Sequence, residues 1–157
     1  IVPIKSTKKK SLYLKKMLDI YAAETTQGLI DAEITYGLED LRNKTKESSW
    51  LLVSGGDQEQ LNSIFKKKDI IHFFDGGVFG SPDTKNEIIT RELKKGNINL
   101  PALSLGDSAL DHKVSLDNGL DFIFVSGWTE FRSYEQYCIK KSITNISKIY
   151  DLIDLIN

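Results

Sequence analysis

The sequence predicts an α/β domain built on a mostly parallel sheet, because short apolar strands alternate with amphipathic helices along it. Three apolar runs have strand length: residues 50–53 (WLLV), 102–105 (ALSL) and 121–125 (DFIFV). Each is followed by small or polar turn residues and then by apolar residues at helical spacing. Strands covered on both faces are continuous apolar runs rather than alternating ones. We therefore expect three layers, with helices on both faces of a doubly wound sheet.

Start and stop signals position the helices between these strands. Asp57 with a glutamine three residues later resembles a capping pattern. Ser81 is expected to cap the next helix, with Pro82 at its first position. A second short extended region is expected around residues 70–80. Apolar spacing then predicts helices at residues 11–25, around 38–41, after 57, after 81, at 108–117 and at 145–156.

The composition indicates one globular domain and excludes several classes of protein. The chain has 157 residues, of which 40% are apolar and 27% charged, and its net charge of −1 does not favour a polyanionic partner. Cys138 is the single cysteine, so no disulfide forms within the chain and a reducing, cytoplasmic compartment is expected. No apolar run reaches the roughly 18 residues that span a bilayer, and no signal peptide is evident. We therefore expect neither a nucleic-acid nor a membrane partner.

Polar groups stand at the ends of the first two predicted strands, where ligands bind in such sheets. Ser54, Gly55 and Gly56 precede a helix, and a hydroxyl with free backbone N–H groups at a helix start suits an anion. An ordinary strand-to-helix turn explains the glycines equally well. Lys85 falls in the first turn of its helix, where a cation opposes the helix dipole at a cost of up to about 1 kcal/mol. It either reaches an anion or is a solvated surface lysine.

Two acids follow the third predicted strand, in the segment LSLGDSALD. Asp107 stands at the strand end, and Asp111 lies one helical turn further on near the same side. Two carboxylates suit a hard cation such as Mg²⁺, which prefers oxygen ligands and usually keeps several waters. Helix capping and the helix dipole would explain either acid alone. They explain less well a hydroxyl, a lysine and acids at three strand ends.

The order of these groups resembles that of the haloacid dehalogenase superfamily, mostly phosphatases. LLVSGGD resembles its second motif, GSPDTK its third and LSLGDSALDH its fourth. VFGSPDTK and GLDFIFV also resemble the branch that includes phosphoglycolate phosphatases. The match extends over roughly residues 34–125. The resemblance implies a small phosphorylated metabolite as substrate and Mg²⁺ as cofactor.

The resemblance also assigns roles to individual residues. Ser54 with the N–H groups of Gly55 and Gly56 would hold a phosphoryl oxygen, and Lys85 would balance charge on the phosphate and the nucleophile. Asp107 would bind Mg²⁺ directly or through water, with support from Asp111. The family's nucleophile is an aspartate that forms an aspartyl-phosphate, and a second acid two residues later acts as general acid and base.

The family's first motif, D-x-D-G-[TV], which carries that aspartate, does not occur in the chain. We expect it upstream of residue 1, because loss of a central strand would break the sheet's hydrogen-bond ladder. Residues 1–32 are then a small, incomplete helical cap and residues 33–157 an α/β core without its first strand. The alternative is a non-catalytic module that binds phosphate and metal.

Other interpretations account for fewer of the residues. A response-regulator receiver also uses acids, a hydroxyl and a lysine, but there the acids come first, whereas Lys85 precedes Asp107 here. Lysine runs at residues 8–10 and 66–68 are typical of solvated helix faces. Trp128 is expected to be a core or loop aromatic residue, although it could line the pocket, and His112 is expected on a helix surface.

Overall fold

The helices and strands alternate through most of the chain. The computed structural model describes residues 12–13, 16–17, 20, 24 and 26–156, so most of the helix predicted for residues 11–25 lies outside the described part; residues 26–31 are helical. The helices are α1 (Leu38–Lys44), α2 (Gln58–Lys67), α3 (Lys85–Lys94), α4 (Ala109–Asp117), α5 (Tyr134–Lys141) and α6 (Leu152–Leu155). The strands are β1 (Leu51–Asp57), β2 (Gly77–Ser81), β3 (Leu103–Gly106), β4 (Asp121–Val125) and β5 (Thr144–Ile146). Two short 3-10 helices lie at Ile71–Phe73 and Ile149–Asp151.

The described strands are all parallel and form two sheets. β1 pairs with β2, and β3, β4 and β5 pair in that order. Parallel neighbours need a crossover, and α2, α3, α4 and α5 each lie between successive strands in the chain. The prediction of an α/β fold with a parallel sheet is therefore confirmed.

Two apolar clusters cover opposite faces of these sheets. One contains Leu41 of α1, Val125 of β4 and residues of α6, with Trp50 packed against it. The other contains Ile89 of α3 and Val114 of α4, with partly buried side chains that include Val53 and Ala102. Successive side chains along a strand point to opposite faces, which separates Trp50 from Val53. Trp50 directly precedes β1 and Ala102 directly precedes β3. Each cluster therefore includes residues in or next to both sheets, and the two sheets share their helical layers.

The two sheets are joined through these helices rather than through a backbone ladder. Among the described residues, no strand pairs with the second edge of β1 or of β3. Leu105 lies opposite Ile123 in register, and Ile123 packs into the α1–α6 cluster. Leu103 and Leu105 are nevertheless 46% and 36% exposed. Apolar side chains that would be buried in a continuous sheet are thus uncovered beside the edge of β3.

The helix predicted to begin at Ser81 begins later, and the predicted cap is wrong. Thr84 is the N-cap of α3, and its side chain accepts a hydrogen bond from the Glu87 N–H. Glu87 Oε2 in turn accepts the Thr84 N–H at 2.8 Å. The reciprocal pair satisfies two backbone donors, which a cap at Ser81 could not do. The T-x-x-E spacing was a readable signal for this start.

The helix predicted over residues 145–156 is correct only in its later part: Ile149–Asp151 is a 3-10 helix and Leu152–Leu155 is α6, whereas its predicted start is a strand. Ile146 lies in β5 opposite Val125, and the N–H groups of Ser147 and Lys148 both donate to Asp151 Oδ2. This turn separates the strand from the short final helix. Ile146 and Leu152 belong to the same apolar cluster but to different elements. Their spacing in the sequence is that of one helical face, which explains the wrong prediction. A different cause applies to α5: its sequence has no clear apolar stripe, so no helix was predicted there.

The extended region predicted around residues 70–80 is only partly extended. Ile71–Phe73 forms a 3-10 helix, and the strand is limited to Gly77–Ser81. Phe74 packs against Trp50 and Phe65, with ring centroids 6.1 and 5.4 Å apart. This aromatic packing turns the chain before β2 begins.

Candidate functional site

Lys85 connects α3, which follows β2, to α4, which follows β3. It is the first residue of α3, directly after the Thr84 cap. Its Nζ lies 2.5 Å from Asp111 Oδ1, although the two residues are 26 positions apart. The contact shows that the carboxyl ends of β2 and β3 lie at the same edge of the molecule.

Asp111 is held by a capped helix start as well as by Lys85. Ser108 is the N-cap of α4, and its Oγ accepts the Asp111 N–H at 3.1 Å and donates to Asp111 Oδ2 at 2.6 Å. A Cβ on Gly106 would lie 2.4 Å from the Asp111 Cβ. Only glycine therefore lets α4 pack this closely on the end of β3. Both carboxylate oxygens of Asp111 are engaged by protein groups.

The environment of Asp111 keeps its carboxyl ionised. Burial alone raises the pKa, since it penalises the charged form. The hydrogen bonds from Lys85 and Ser108, together with the Lys85 charge, lower it by more, so the net pKa lies below its ordinary value. Asp111 is thus a fixed anion whose partner is the site's lysine.

Asp107 differs from Asp111 in being uncovered. It lies in the turn between β3 and α4 and is exposed. Its backbone carbonyl accepts a 2.6 Å hydrogen bond from Thr129 Oγ1 in the β4–α5 loop, which fixes the turn. Its carboxylate forms no hydrogen bond or ion pair with any residue in the described part of the chain. An anchored turn therefore presents an uncovered carboxylate at the end of β3, directly before the helix that carries Asp111.

Ser54, Gly55 and Gly56 lie in the last part of β1, where its pairing with β2 is interrupted. Val53 is opposite Phe79, and the next pair is Asp57 with Ser81. Ser54 Oγ accepts the Gly56 N–H at 3.1 Å, so this N–H is already used. Within the described residues, the Ser54 hydroxyl hydrogen has no acceptor. Gly55 is exposed, with open space around the position of a Cβ. We call this irregular segment the Ser54–Gly56 turn. It is accessible at the same edge as Lys85, because β1 and β2 are parallel neighbours.

His112 and Trp128 were left outside the site by the sequence, and the structure gives the environment of each. His112 is buried, with its Nδ1 2.8 Å from the Tyr137 hydroxyl, so the expected surface position is wrong. Burial and then the charge of Lys141 lower the pKa of His112. Trp128 is 64% exposed and is therefore a loop residue rather than a core residue. In the part of the chain that the structure covers, no three His, Cys, Asp or Glu side chains cluster as a ready metal centre.

Solved structures resemble this chain over nearly its whole length. A haloacid dehalogenase-like family hydrolase from Streptococcus pneumoniae matches 99% of this chain and 77% of its own, with a TM-score of 0.73 and 20% identity. A protein assigned as a phosphatase from Clostridium difficile matches 96% of this chain and 72% of its own, with a TM-score of 0.73 and 18% identity. A haloacid dehalogenase-superfamily hydrolase from Ehrlichia chaffeensis matches 100% and 82%, with a TM-score of 0.60 and 22% identity. The chain has the haloacid dehalogenase-like fold.

That fold is the one implied by the resemblance in the sequence. The haloacid dehalogenase-like fold is found here without a match to any protein-family model or to any curated protein. No helix in the described residues is long and apolar enough to cross a bilayer.

Proposed function

We propose that the protein, with its nucleophile strand, is a Mg²⁺-dependent phosphatase that hydrolyses a small phosphorylated metabolite. The observation that carries the proposal is the 2.5 Å contact between Lys85 Nζ and Asp111 Oδ1 beside the free carboxylate of Asp107. A cation and a carboxylate pair at the carboxyl ends of parallel strands suits phosphoryl transfer, where positioning and charge stabilisation supply most of the catalysis. The names of the structural neighbours agree with this chemistry.

The donor set at β3 fits Mg²⁺. Asp107 supplies an uncovered carboxylate, and Asp111 next to it has both oxygens occupied by Lys85 and Ser108. We therefore assign Asp107 to hold the ion, directly or through water, and Asp111 to orient Lys85 and support the site. Oxygen donors with remaining water positions are what Mg²⁺ prefers. When bound, the ion offsets negative charge on the phosphoryl group.

The nucleophile is proposed to be an aspartate on a further strand between β1 and β3. Those two strands have unpaired edges within the described residues, and Leu103 and Leu105 are uncovered there. A parallel strand at this position would end between Ser54 on one side and Asp107 on the other. Residues 33–157 would then form the core and residues 1–32 part of a cap over it.

The reaction has two balanced steps. A carboxylate oxygen attacks phosphorus and forms a P–O bond, while the bond from phosphorus to the ester oxygen breaks and that oxygen takes a proton from a general acid. Water then gives a proton to that acid, now a carboxylate, and attacks phosphorus; the aspartyl P–O bond breaks, and the aspartate carboxylate and inorganic phosphate are released. Ser54 would donate its hydroxyl hydrogen to a phosphoryl oxygen. Lys85 would stay near the phosphoryl group and the nucleophilic carboxylate in both steps.

The test is phosphate release from a panel of small phosphate esters by the full-length protein. We expect activity with Mg²⁺ and none with EDTA. D107N should reduce kcat by about 10²-fold or more, by the loss of an electrostatic group. D117N is the matched control, because Asp117 ends α4 and pairs with Lys113 on the surface. Full-length protein that binds phosphate and Mg²⁺ but releases no phosphate would support the non-catalytic module instead.

A further inference from the structure

Gln58, the first residue of α2, pairs with β2 in the manner of a neighbouring strand. Its Nε2 donates to the Val78 carbonyl at 2.6 Å, and its Oε1 accepts the Gly80 N–H at 2.8 Å. A carbonyl and an N–H two residues apart on one strand are the groups that a ladder partner normally satisfies. One side chain therefore replaces part of a backbone ladder.

The replacement lies where β1 leaves the regular pairing. Ser54, Gly55 and Gly56 lie between two paired positions of β1, whereas Gly80 alone lies between the corresponding positions of β2. The extra residues bulge away from the ladder, and bulges of this kind change the direction of the backbone near functional sites. The segment that bulges is the turn to which the proposed function assigns phosphate binding.

Gly80 lets the bulge lie directly over β2. A Cβ at this position would be 2.3 Å from the Gly56 carbonyl oxygen and 3.2 Å from the Gln58 N. The turn, the start of α2 and β2 thus meet at one glycine. Gln58 bonds to the Gly80 N–H itself and to the Val78 carbonyl two residues earlier, so it ties the start of α2 to β2 at this point.

We propose that Gln58 is a positioning residue that holds the Ser54–Gly56 turn in its phosphate-binding geometry. The proposal rests on the proposed function for the role of the turn, but its structural part stands without it. Removing the amide would leave the Val78 carbonyl and the Gly80 N–H without these partners, which favours a shift of the turn over β2. The phosphate site would then lose its shape while the rest of the core stays folded.

The matched variants are Q58L and N62L, in the full-length protein. Q58L keeps the approximate side-chain size and removes both bonds. Asn62 lies one turn further along α2, and its Nδ2 donates to the Gln58 carbonyl within the helix. N62L therefore changes the same helix without removing a bond to β2 among the described residues. Q58E is the conservative variant, because its carboxylate still accepts the Gly80 N–H but donates to Val78 only when protonated.

Two measurements decide the proposal. Amide hydrogen exchange at Gly55, Gly56 and Gly80 should be faster by about tenfold or more in Q58L and unchanged in N62L. The inhibition constant for orthophosphate and the KM for an ester should rise about tenfold in Q58L, with recovery in Q58E as the pH falls. A purely structural role would lower the stability of both helix variants without this separation.

The outcomes separate this proposal from the proposed function. Wild-type protein that neither binds phosphate nor hydrolyses esters overturns the function, and the exchange rates then still judge Gln58. Wild-type activity with equal exchange and equal phosphate affinity in Q58L overturns the positioning role. Equal effects of Q58L and N62L overturn it as well, since they would reflect helix stability alone.

Discussion

At the residue scale, the decisive feature is the partly buried ion pair between Lys85 and Asp111. The Lys85 side chain is 27% exposed and that of Asp111 is 9% exposed. A pair this shielded keeps more of its electrostatic strength than an exposed pair does. The lysine therefore faces the site as a held cation rather than as a mobile surface charge, which decides between the two interpretations that its sequence position left open.

Substitution of Lys85 by methionine should abolish turnover while the fold persists. In K85M the charge opposite the phosphoryl group is lost, and we expect kcat to fall by on the order of 10²–10³. The pKa of Asp111 should rise, because its hydrogen bond and Coulombic partner is gone while its burial remains. Phosphate-release kinetics and an NMR pH titration of the Asp111 carboxyl measure the two effects.

The matched control is K113M. Lys113 pairs with Asp117 at 2.6 Å on the surface of α4, where the side chains are 70% and 48% exposed. Such a pair contributes about 1 kcal/mol or less, and it lies away from the strand ends. K85M with activity close to that of K113M would contradict the assigned role of Lys85.

At the element scale, α3 is fastened at its carboxyl end by a buried glutamate. Glu92 is 3% exposed at its side chain and accepts hydrogen bonds from Arg91 Nε at 2.7 Å and from Lys95 at 3.1 Å. Asn97 Nδ2 donates to Glu92 Oε2 at 3.0 Å and to the Gly76 carbonyl at 2.8 Å. This network ties the end of α3 to the turn before β2. It fixes the axis on which Lys85 sits.

The network predicts a loss of stability in acid. The hydrogen bond from Arg91, opposed by burial and assisted by Asn97 and Lys95, lowers the pKa of Glu92 from 4.5 to about 2. A carboxyl with a depressed pKa stabilises the fold fully above its ordinary pKa, and the stabilisation is lost as the pH falls toward the folded-state value. The wild-type unfolding free energy should therefore decrease between pH 4.5 and about 2.

The variant E92Q tests this by urea unfolding at several pH values. It should be less stable than wild type at neutral pH and should show a shallower pH dependence in that acid window. E47Q is the control, since Glu47 is exposed in the turn after α1. If E92Q and wild type lose stability in parallel on acidification, Glu92 is not the titrating group.

At the scale of the whole molecule, two sheets share two helical layers but no ladder. Leu105 is exposed at the edge of β3, although its register partner Ile123 is packed in a core cluster. A continuous sheet would bury both, because their side chains point to the same face. The strand proposed to carry the nucleophile would supply the missing cover.

Leu105→Ala should therefore have different effects in two lengths of chain. In the 157-residue chain, we expect the unfolding free energy to fall by about 1 kcal/mol, because the side chain is already partly exposed. In a longer chain that adds the strand, the loss should be about 2–5 kcal/mol, as for a buried leucine. Leu61→Ala is the control, since Leu61 is 7% exposed and should cost the same in both chains. Equal losses for Leu105→Ala in the two chains would argue against a strand at this edge.

The sequence by itself determined the α/β class, the three strands with continuous apolar runs, and the order of Ser54, Lys85, Asp107 and Asp111. Those features depend on local apolar runs and on residues directly after them, which a one-dimensional pattern records. It misassigned the start of α3 at Ser81 and the final helix, because Ile146 and Leu152 meet only after the chain has turned. Only the tertiary structure decided which groups act together: the Lys85–Asp111 pair, the Gln58 bridge to β2 and the burial of His112 all join distant parts of the chain. Contacts of this kind depend on packing and register between elements, which local spacing does not encode.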